Sequence, residues 1–426
     1  MARDFVPLLR RSLTTWIFIA VCALSQSVAA QERLPTLESL LGHLSATHPA
    51  LLYKKTMVES MQAKREAASQ QRLPVASVTA TSPSSQGSER LTTYRVQQPL
   101  YAGGRITANI DLASAELEDA RLQLLLDQRQ LLSKAMQLFV DWARQSDKLE
   151  VAQKNRDSHQ ALVDNITRRT QAEINPLADL TLARSRLLTA EVEFQTTLQQ
   201  RKKAIQKIEE FLGSQFLGFE AAPSAYDLAR RPDWVAVAMD HSLELRRVQL
   251  QQQMVDIEGK QRRSELLPNF SLRHEKRSGY TVWTNNFAPQ QTTLEMTLSL
   301  GPGTSQLDQL RAAELKKQAT QQQLISFERE QRERMQGLVA DWAIYQGQAL
   351  AASENLALAE SVALSYERQF VVGRKTWQDV LNAQREAAQL GQNAVDLRWT
   401  ARLTAMQIKL ETGLLHELCP HQCIAE

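Results

Sequence analysis

Hydrophobic and polar positions alternate with two different periods along this chain, and the places where the period changes divide it into elements. A helical pattern from about Thr36 to Gln71 stops before Leu73-Pro74, where proline lacks an N–H and crowds the residue before it. Two strand-like runs follow, Val75 to Thr81 and Leu91 to Leu100, separated by the turn-forming stretch Ser82 to Ser88. After Gly103-Gly104 the pattern is helical almost without interruption to Ala172. Within it Ile110, Leu117, Leu124, Leu131 and Leu138 fall seven apart, a coiled-coil-like stripe. A shorter helix is expected from Pro176 to Leu212, with the proline in its first turn.

The same order then returns. Asn269 to Trp283 and Gln291 to Leu300 read as strands, the second alternating Leu294, Met296, Leu298 and Leu300 with Thr293, Glu295, Thr297 and Ser299. Gly301-Pro302-Gly303 precedes a helical run to Val372, and a shorter helix runs from Thr376 to Leu415. Asp141-Trp142-Ala143 recurs as Asp341-Trp342-Ala343, Asp179 and Ala183 as Asp379 and Ala383, and Gly213 as Gly413, all at an offset of 200. Leu73-Pro74 matches Leu267-Pro268 at 194. The chain therefore reads as a tandem duplication: residues 31–213 with a β-hairpin at 74–100, a linker at 214–233, residues 234–415 with a hairpin at 268–300, and a tail at 416–426. Trp142 and Trp342 are expected to pack between helices, and Tyr101 to sit either in an interfacial aromatic belt or in the base of the strand region.

Length turns this pattern into a shape. A helix of about 69 residues is roughly 100 Å long, more than a compact globule of this size can hold. The two shorter helices of each half add to nearly the same length, so each half is expected to be a rod with a hairpin at one end. Four strands cannot close a barrel alone, and an open sheet edge cannot sit in lipid. Three copies would supply about 12 strands, enough for a barrel with a lumen, whereas two would give about eight, which side chains fill. Two or four copies also remove the edges on paper.

Composition supports the helices and excludes other classes. Only 15 Gly and 13 Pro in 426 residues leave little material for the turns of a many-stranded sandwich. With 50 Lys and Arg against 47 Asp and Glu, the formal net charge is +3, and there is no electrostatic case for nucleic acid. A mean hydropathy of −0.36 excludes a helical multispan protein without excluding a β-barrel. Arg10-Arg11, the apolar run Leu13 to Leu24 and Ser27-Val28-Ala29-Ala30 form a secretory signal over residues 1–30. Lipidation of Cys22 is disfavoured by Val21, which stands where a small residue is wanted.

With these elements in place, the duplication, the hairpins, the turn Gln98-Pro99-Leu100-Tyr101-Ala102-Gly103-Gly104-Arg105 and the tip from Phe370 to Ala383 resemble the TolC family of outer-membrane export channels. The resemblance implies an α+β fold dominated by long helices. It implies a homotrimer with a 12-stranded barrel in outer-membrane lipid and a helical tunnel through the periplasm. It also implies docking to a periplasmic membrane-fusion adaptor and an inner-membrane ABC transporter or proton-driven pump. By the same resemblance, Asp379 would form an acidic ring in the pore and Asn382 an uncharged one a turn later. The entrance lock would fall to Asp179, Phe370, Lys375 and Arg374, with Phe370 lacking the hydroxyl and Lys375 the fork of the family's usual pair. Glu173, Asn175, Pro176 and Gly373 would shape the tips and meet the adaptor. Glu173 departs from the glycine of the second tip, which leaves Asn175-Pro176 as the expected turn.

No phosphate loop, His-Glu-x-x-His, Gly-x-Ser-x-Gly or dinucleotide fingerprint occurs, so the chain does not read as an enzyme and implies no cofactor. In the tail, His416, Cys419, His421 and Cys423 have chelating chemistry. A Cys419–Cys423 disulfide or free thiols is the preferred reading in an oxidising compartment. The functional expectation is a passive conduit for protein secretion, the tip from Asn175 to Ser185 being similar to channels for large adhesins. Small-molecule or metal efflux stands as the alternative, and a soluble periplasmic coiled-coil scaffold as the competing class.

Overall fold

The computed structural model describes residues 42, 48–81, 91–213, 216, 228, 233–278, 290–298 and 305–413. The expected export signal, the expected turns at Ser82 to Ser88 and at Gly301-Pro302-Gly303, most of the expected linker and the tail bearing His416, Cys419, His421 and Cys423 lie outside these residues.

The elements in chain order are α1 (Pro49–Gln70), β1 (Val75–Thr81), β2 (Leu91–Ala102), α2 (Arg105–Gln171), α3 (Leu177–Leu212), α4 (Trp234–Asp240), α5 (Leu243–Ser264), β3 (Asn269–Ser278), β4 (Gln290–Thr297), α6 (Ser305–Val371) and α7 (Trp377–Glu411). α2 and α6 are each 67 residues, about 100 Å at the α-helical rise. α2 contains neither Gly nor Pro, and nothing in its sequence interrupts the hydrogen-bond ladder. Pro176 is the N-cap of α3 rather than part of its first turn.

The shorter helices lie in succession along the long ones. Lys54 and Lys64 of α1 pair with Asp127 and Glu116 near the strand end of α2. Farther down, Arg201 of α3 donates to Ser146. The α3 seam is built of small residues seven apart, Ala183, Ala190, Thr197 and Ala204, all buried, which permits close approach to α2. On the other flank, α5 reaches α2 through Arg247–Asp119 and α6 through Lys316–Glu258. α7 continues that position, with Asp147 accepting from Trp399 Nε1 at 2.7 Å and Arg398 at 2.5 Å. The layer is therefore four helices wide throughout: α1 or α3, then α2, then α5 or α7, then α6. Its core near mid-length holds Met136, Phe139, Val140, Trp399 and Met406, with Trp142 packed against it, while Trp342 is buried with Trp234 and Ile408.

The strands form one antiparallel sheet in the order β1-β2-β3-β4. β2 pairs with β3 from Thr92↔Ser278 to Ala102↔Asn269, with an irregularity between Pro99 and Tyr101, a position that tolerates proline's missing N–H. Gly103 then returns the chain into α2 at a φ of +60°, and a Cβ there would stand 2.8 Å from both Leu267 Cβ and the Ser264 carbonyl oxygen. Only glycine satisfies both the backbone angle and the close approach of the two halves.

Candidate functional site

Each long helix ends in a turn that hands the chain to its shorter partner, and the two turns share one backbone scheme. In the first, Glu173 N–H donates to Thr170 O at 3.0 Å and Ile174 N–H to Arg169 O at 2.8 Å. In the second, Gly373 N–H donates to Phe370 O at 3.0 Å and Arg374 N–H to Gln369 O at 2.9 Å. This is the Schellman closure, which needs a left-handed residue after the helix. Gly373 supplies it at φ 76°, and Glu173 supplies it at φ 56°. The expectation that Asn175-Pro176 would make the first turn is thus corrected: Glu173 makes it, at a cost of roughly 1–2 kcal/mol for the Cβ.

Asn175 instead connects the tips. Its Nδ2 donates to Asp179 Oδ2 at 2.9 Å, and its Oδ1 accepts from Arg169 Nε at 3.0 Å. The Arg169 guanidinium lies over the Phe370 ring, 4.9 Å from its centroid. Asp179 of the first tip and Phe370 of the second are therefore joined through Asn175 and Arg169. Phe370 is buried among Ile166, Trp377 and Val380, with Leu162 and Val163 beside it. Lys375 turns elsewhere, its Nζ standing 4.2 Å from the centroid of the Tyr366 ring. No ion pair joins Asp179 to Lys375 or Arg374 among the described residues; Arg374 is exposed and contributes its backbone N–H.

Asp379 opens α7. It accepts from Thr376 N–H at 3.0 Å and Thr376 Oγ1 at 2.8 Å, while its own N–H donates to Thr376 Oγ1 at 3.2 Å. This capping box satisfies two helix-end donors. Hydrogen bonding from the Thr376 hydroxyl and then from its backbone N–H, ahead of the Lys375 charge, holds the Asp379 carboxyl below its ordinary value. Trp377, Val380, Leu381 and Ala383 of the same turns are buried, whereas Asn382, Glu386 and Gln389 are exposed. Spacings of three and four place Asp379, Asn382, Glu386 and Gln389 on one polar face. Glu386 and Arg169 escaped the sequence reading. The acidic spacing after Asp379 was available as a signal for the first; the partner of Arg169 lies in the other half.

At the opposite end the sheet separates its faces by chemistry. One face carries Ser77, Thr79, Thr93, Arg95, Gln97, Ser271, Arg273, Glu275, Arg277, Thr293 and Glu295, as the register requires. The other carries Val78, Tyr94, Val96, Leu272, Leu294 and Met296, of which Leu294 is 67% and Val78 65% exposed, while on the upper rows of β3 it also carries His274 and Lys276, both exposed. Tyr101 and Phe270 meet at the base with centroids 6.2 Å apart. Along paired rows the apolar band sits about four residues lower on β3 and β4 than on β1 and β2, the diagonal course that tilted barrel strands impose.

An apolar band on one face, a polar opposite face, outer edges of β1 and β4 without a partner strand among the described residues, and helices of this length are features that a subunit of an outer-membrane channel needs. The known proteins agree. The outer membrane efflux protein family model matches residues 40–214. No curated protein matches the chain in sequence. Among solved structures, CusC superposes with a TM-score of 0.76 at 12% identity, over 88% of this chain and 92% of that one. VceC of Vibrio cholerae gives 0.73 at 15% identity, over 90% and 95%. The open-state MtrE channel of Neisseria gonorrhoeae gives 0.72 at 13%, over 89% of each chain. The first half of the chain thus matches the outer membrane efflux protein family, and the chain as a whole has the fold of the solved outer-membrane channels. Proteins of that family are passive channels of the outer membrane with a large periplasmic helical part. Channels of this family are trimers that work with adaptors and inner-membrane pumps.

Proposed function

We propose that this chain is one third of a passive export conduit, with β4 of each copy paired to β1 of the next to close 12 strands and the helical layers joined into a tunnel. The observation that carries the reading is the two-faced, open-edged sheet, because an exposed apolar band crossing all four strands diagonally is the surface that lipid would cover. The helical layer supports ring closure. Its two outermost flanks expose apolar side chains, Leu188 and Val192 on α3, and Leu350 and Leu358 on α6.

In this assembly the polar face of α7 lines the entrance, with Asp379 and Glu386 drawing cations and Asn382 leaving an uncharged step between them. The relay Asp179–Asn175–Arg169–Phe370 holds the two tips together and serves as the lock, in place of an ion pair through Lys375 or Arg374. Glu173, Pro176, Gly373 and the neighbouring tip surface dock a periplasmic membrane-fusion adaptor, and an inner-membrane ABC transporter supplies energy and direction. The tip sequence favours a secreted polypeptide as cargo. Small-molecule or metal efflux through a proton-driven pump is the second reading, favoured by the likeness to channels of the efflux family. The duplicated layout, 31–213 and 234–415, gives each copy two similar wall segments.

The test is conductance of the detergent-extracted, size-fractionated protein in a planar bilayer. Trimeric material giving cation-preferring steps, with the preference reduced in Asp379→Asn, is the expected result. A protein that stays in solution without detergent and gives no steps is a periplasmic scaffold instead. Cargo is separated by deletion: loss of a polypeptide from the culture medium supports secretion, and sensitivity to small solutes or metals supports efflux.

A further inference from the structure

The polar face of the sheet is unevenly charged, and its charge is concentrated at one height. Arg95 of β2 and Arg273, Glu275 and Arg277 of β3 stand on adjacent paired rows, with Glu295 of β4 one row below. Glu275 is 4% exposed. Its carboxylate pairs with Arg95 Nε at 2.6 Å, Arg277 Nη2 at 3.1 Å and Arg273 Nε at 3.9 Å. Arg273 also pairs with Glu295. Three guanidiniums thus enclose two carboxylates, and the set carries an excess positive charge in every copy. No other charged side chain lies on this face among the described strand residues.

We infer that this cluster forms an arginine girdle inside the strand barrel, an anion-attracting segment that transiently holds carboxylate or phosphate groups of solutes in the pore. The inference rests on the channel reading, which turns the polar face inward. Three points carry it. The cluster is on the face opposite the exposed apolar band, so it meets water rather than lipid. Arg273 to Arg277 lie four to eight residues above Asn269, at about 3.4 Å per residue some 14–27 Å along the strand from the base of the sheet, on the paired rows where the opposite face of β2 carries Val96 and Tyr94 of the apolar band. There low-dielectric walls focus a net charge onto the lumen. Finally, Glu275 holds the guanidiniums in fixed positions, and a planar guanidinium recognises carboxylate or phosphate through paired N–H donors. The pore would then carry two filters of opposite sign, acidic at the helical entrance and basic at the strand end. Cargo bearing both charges, such as a polypeptide, meets a complementary surface at each.

The experiment pairs two substitutions in the same cluster. Arg277→Gln removes a positive charge and Glu275→Gln a negative one, so a structural disturbance moves both alike while electrostatics moves them apart. Reversal potentials are measured under a potassium chloride gradient in a bilayer of neutral lipid, which leaves no lipid phosphate excess to compete. Arg277→Gln is expected to raise the cation-to-anion permeability ratio and Glu275→Gln to lower it, each by about two- to three-fold. Inorganic pyrophosphate added on the strand side should block the wild type, and Arg277→Gln less. If Glu275→Gln does not assemble, Arg277→Lys replaces it and must keep the wild-type ratio. Steps of ordinary size with an unmoved ratio, shifts of the same sign, or no pyrophosphate block overturn the girdle while leaving the channel intact. Absence of steps in the wild type sinks the channel reading and the girdle with it.

Discussion

The two helical tips close with the same pair of backbone hydrogen bonds and almost entirely different side chains. The second tip uses Gly373 for the left-handed residue and a capping box, Thr376 with Asp379, to start α7. The first uses Glu173 in the same conformation and starts α3 at Pro176 with no side-chain cap. One tip satisfies itself locally. The other spends its polar groups on a link outward, from Asp179 through Asn175 to Arg169 and the Phe370 ring. The first turn, left-handed at a non-glycine residue and without a cap, depends on contacts with its neighbour, whereas the second is closed by its own residues.

The strongest way to break that contrast is Phe370→Ala. It removes the buried ring on which both tips converge and should cost about 3–5 kcal/mol. The expected outcome is a lower unfolding temperature for the trimer in detergent, with a larger resting conductance if the tips separate. A stability loss confined to the second tip, with resting conductance unchanged, would remove Phe370 from the lock.

Arg169→Gln is the sharper and smaller change. It deletes the cation over the ring and the donor to Asn175, together worth about 1–2 kcal/mol at a half-exposed site. Arg169→Lys should recover part of it, because the charge remains and the Nε donor geometry does not. Resting conductance is the readout, and the same substitution at Arg374, which has no partner role in this link, should leave it unaltered.

The glycine asymmetry predicts opposite signs. Gly373→Ala should destabilise by about 1 kcal/mol, although space for the added Cβ is open, because only the backbone angle resists it. Glu173→Gly should stabilise by about 0.5–1 kcal/mol, the relief of the left-handed penalty exceeding the added freedom of the unfolded chain. Thermal unfolding of the two variants side by side checks the pair.

Most of the architecture was legible because it is written in periods and punctuation. Gly103-Gly104, Leu73-Pro74, Pro176 and Gly373 mark ends to within a residue or two, and alternation on β4 separates Leu294 and Met296 from Glu295. The tips were less legible for a physical reason. Arg169 sits in the last turn of α2 beside Arg168, where a cation is expected merely to favour the helix dipole. Its partner Phe370 is far away in sequence, and no local pattern announces their contact. Asn175 beside Pro176 carries a strong turn signature, which concealed its use as a two-sided hydrogen-bonding bridge. The Arg-Glu-Arg alternation at Arg273, Glu275 and Arg277 was visible, but its meaning depends on the register that brings Arg95 to the same carboxylate.

The smallest expected effect concerns acid. Asp379 has a folded-state pKa depressed by the Thr376 hydroxyl and N–H, so its contribution to the cap is present above the ordinary carboxylate value of 3.8 and is lost as pH falls through the lower folded value. The start of α3 has no capping box, because Pro176 offers no side-chain acceptor. Hydrogen exchange at the start of α7 should therefore be flat from neutral pH to about pH 4, after correction for intrinsic rates, and rise below it. Thr376→Val removes the hydroxyl that donates to the carboxylate and should move the acid limb upward, toward 3.8, while Asp379→Asn should abolish it. An acid limb that survives Asp379→Asn would belong to another carboxylate, and the two tips would then differ in their turns alone and not in how their helices begin.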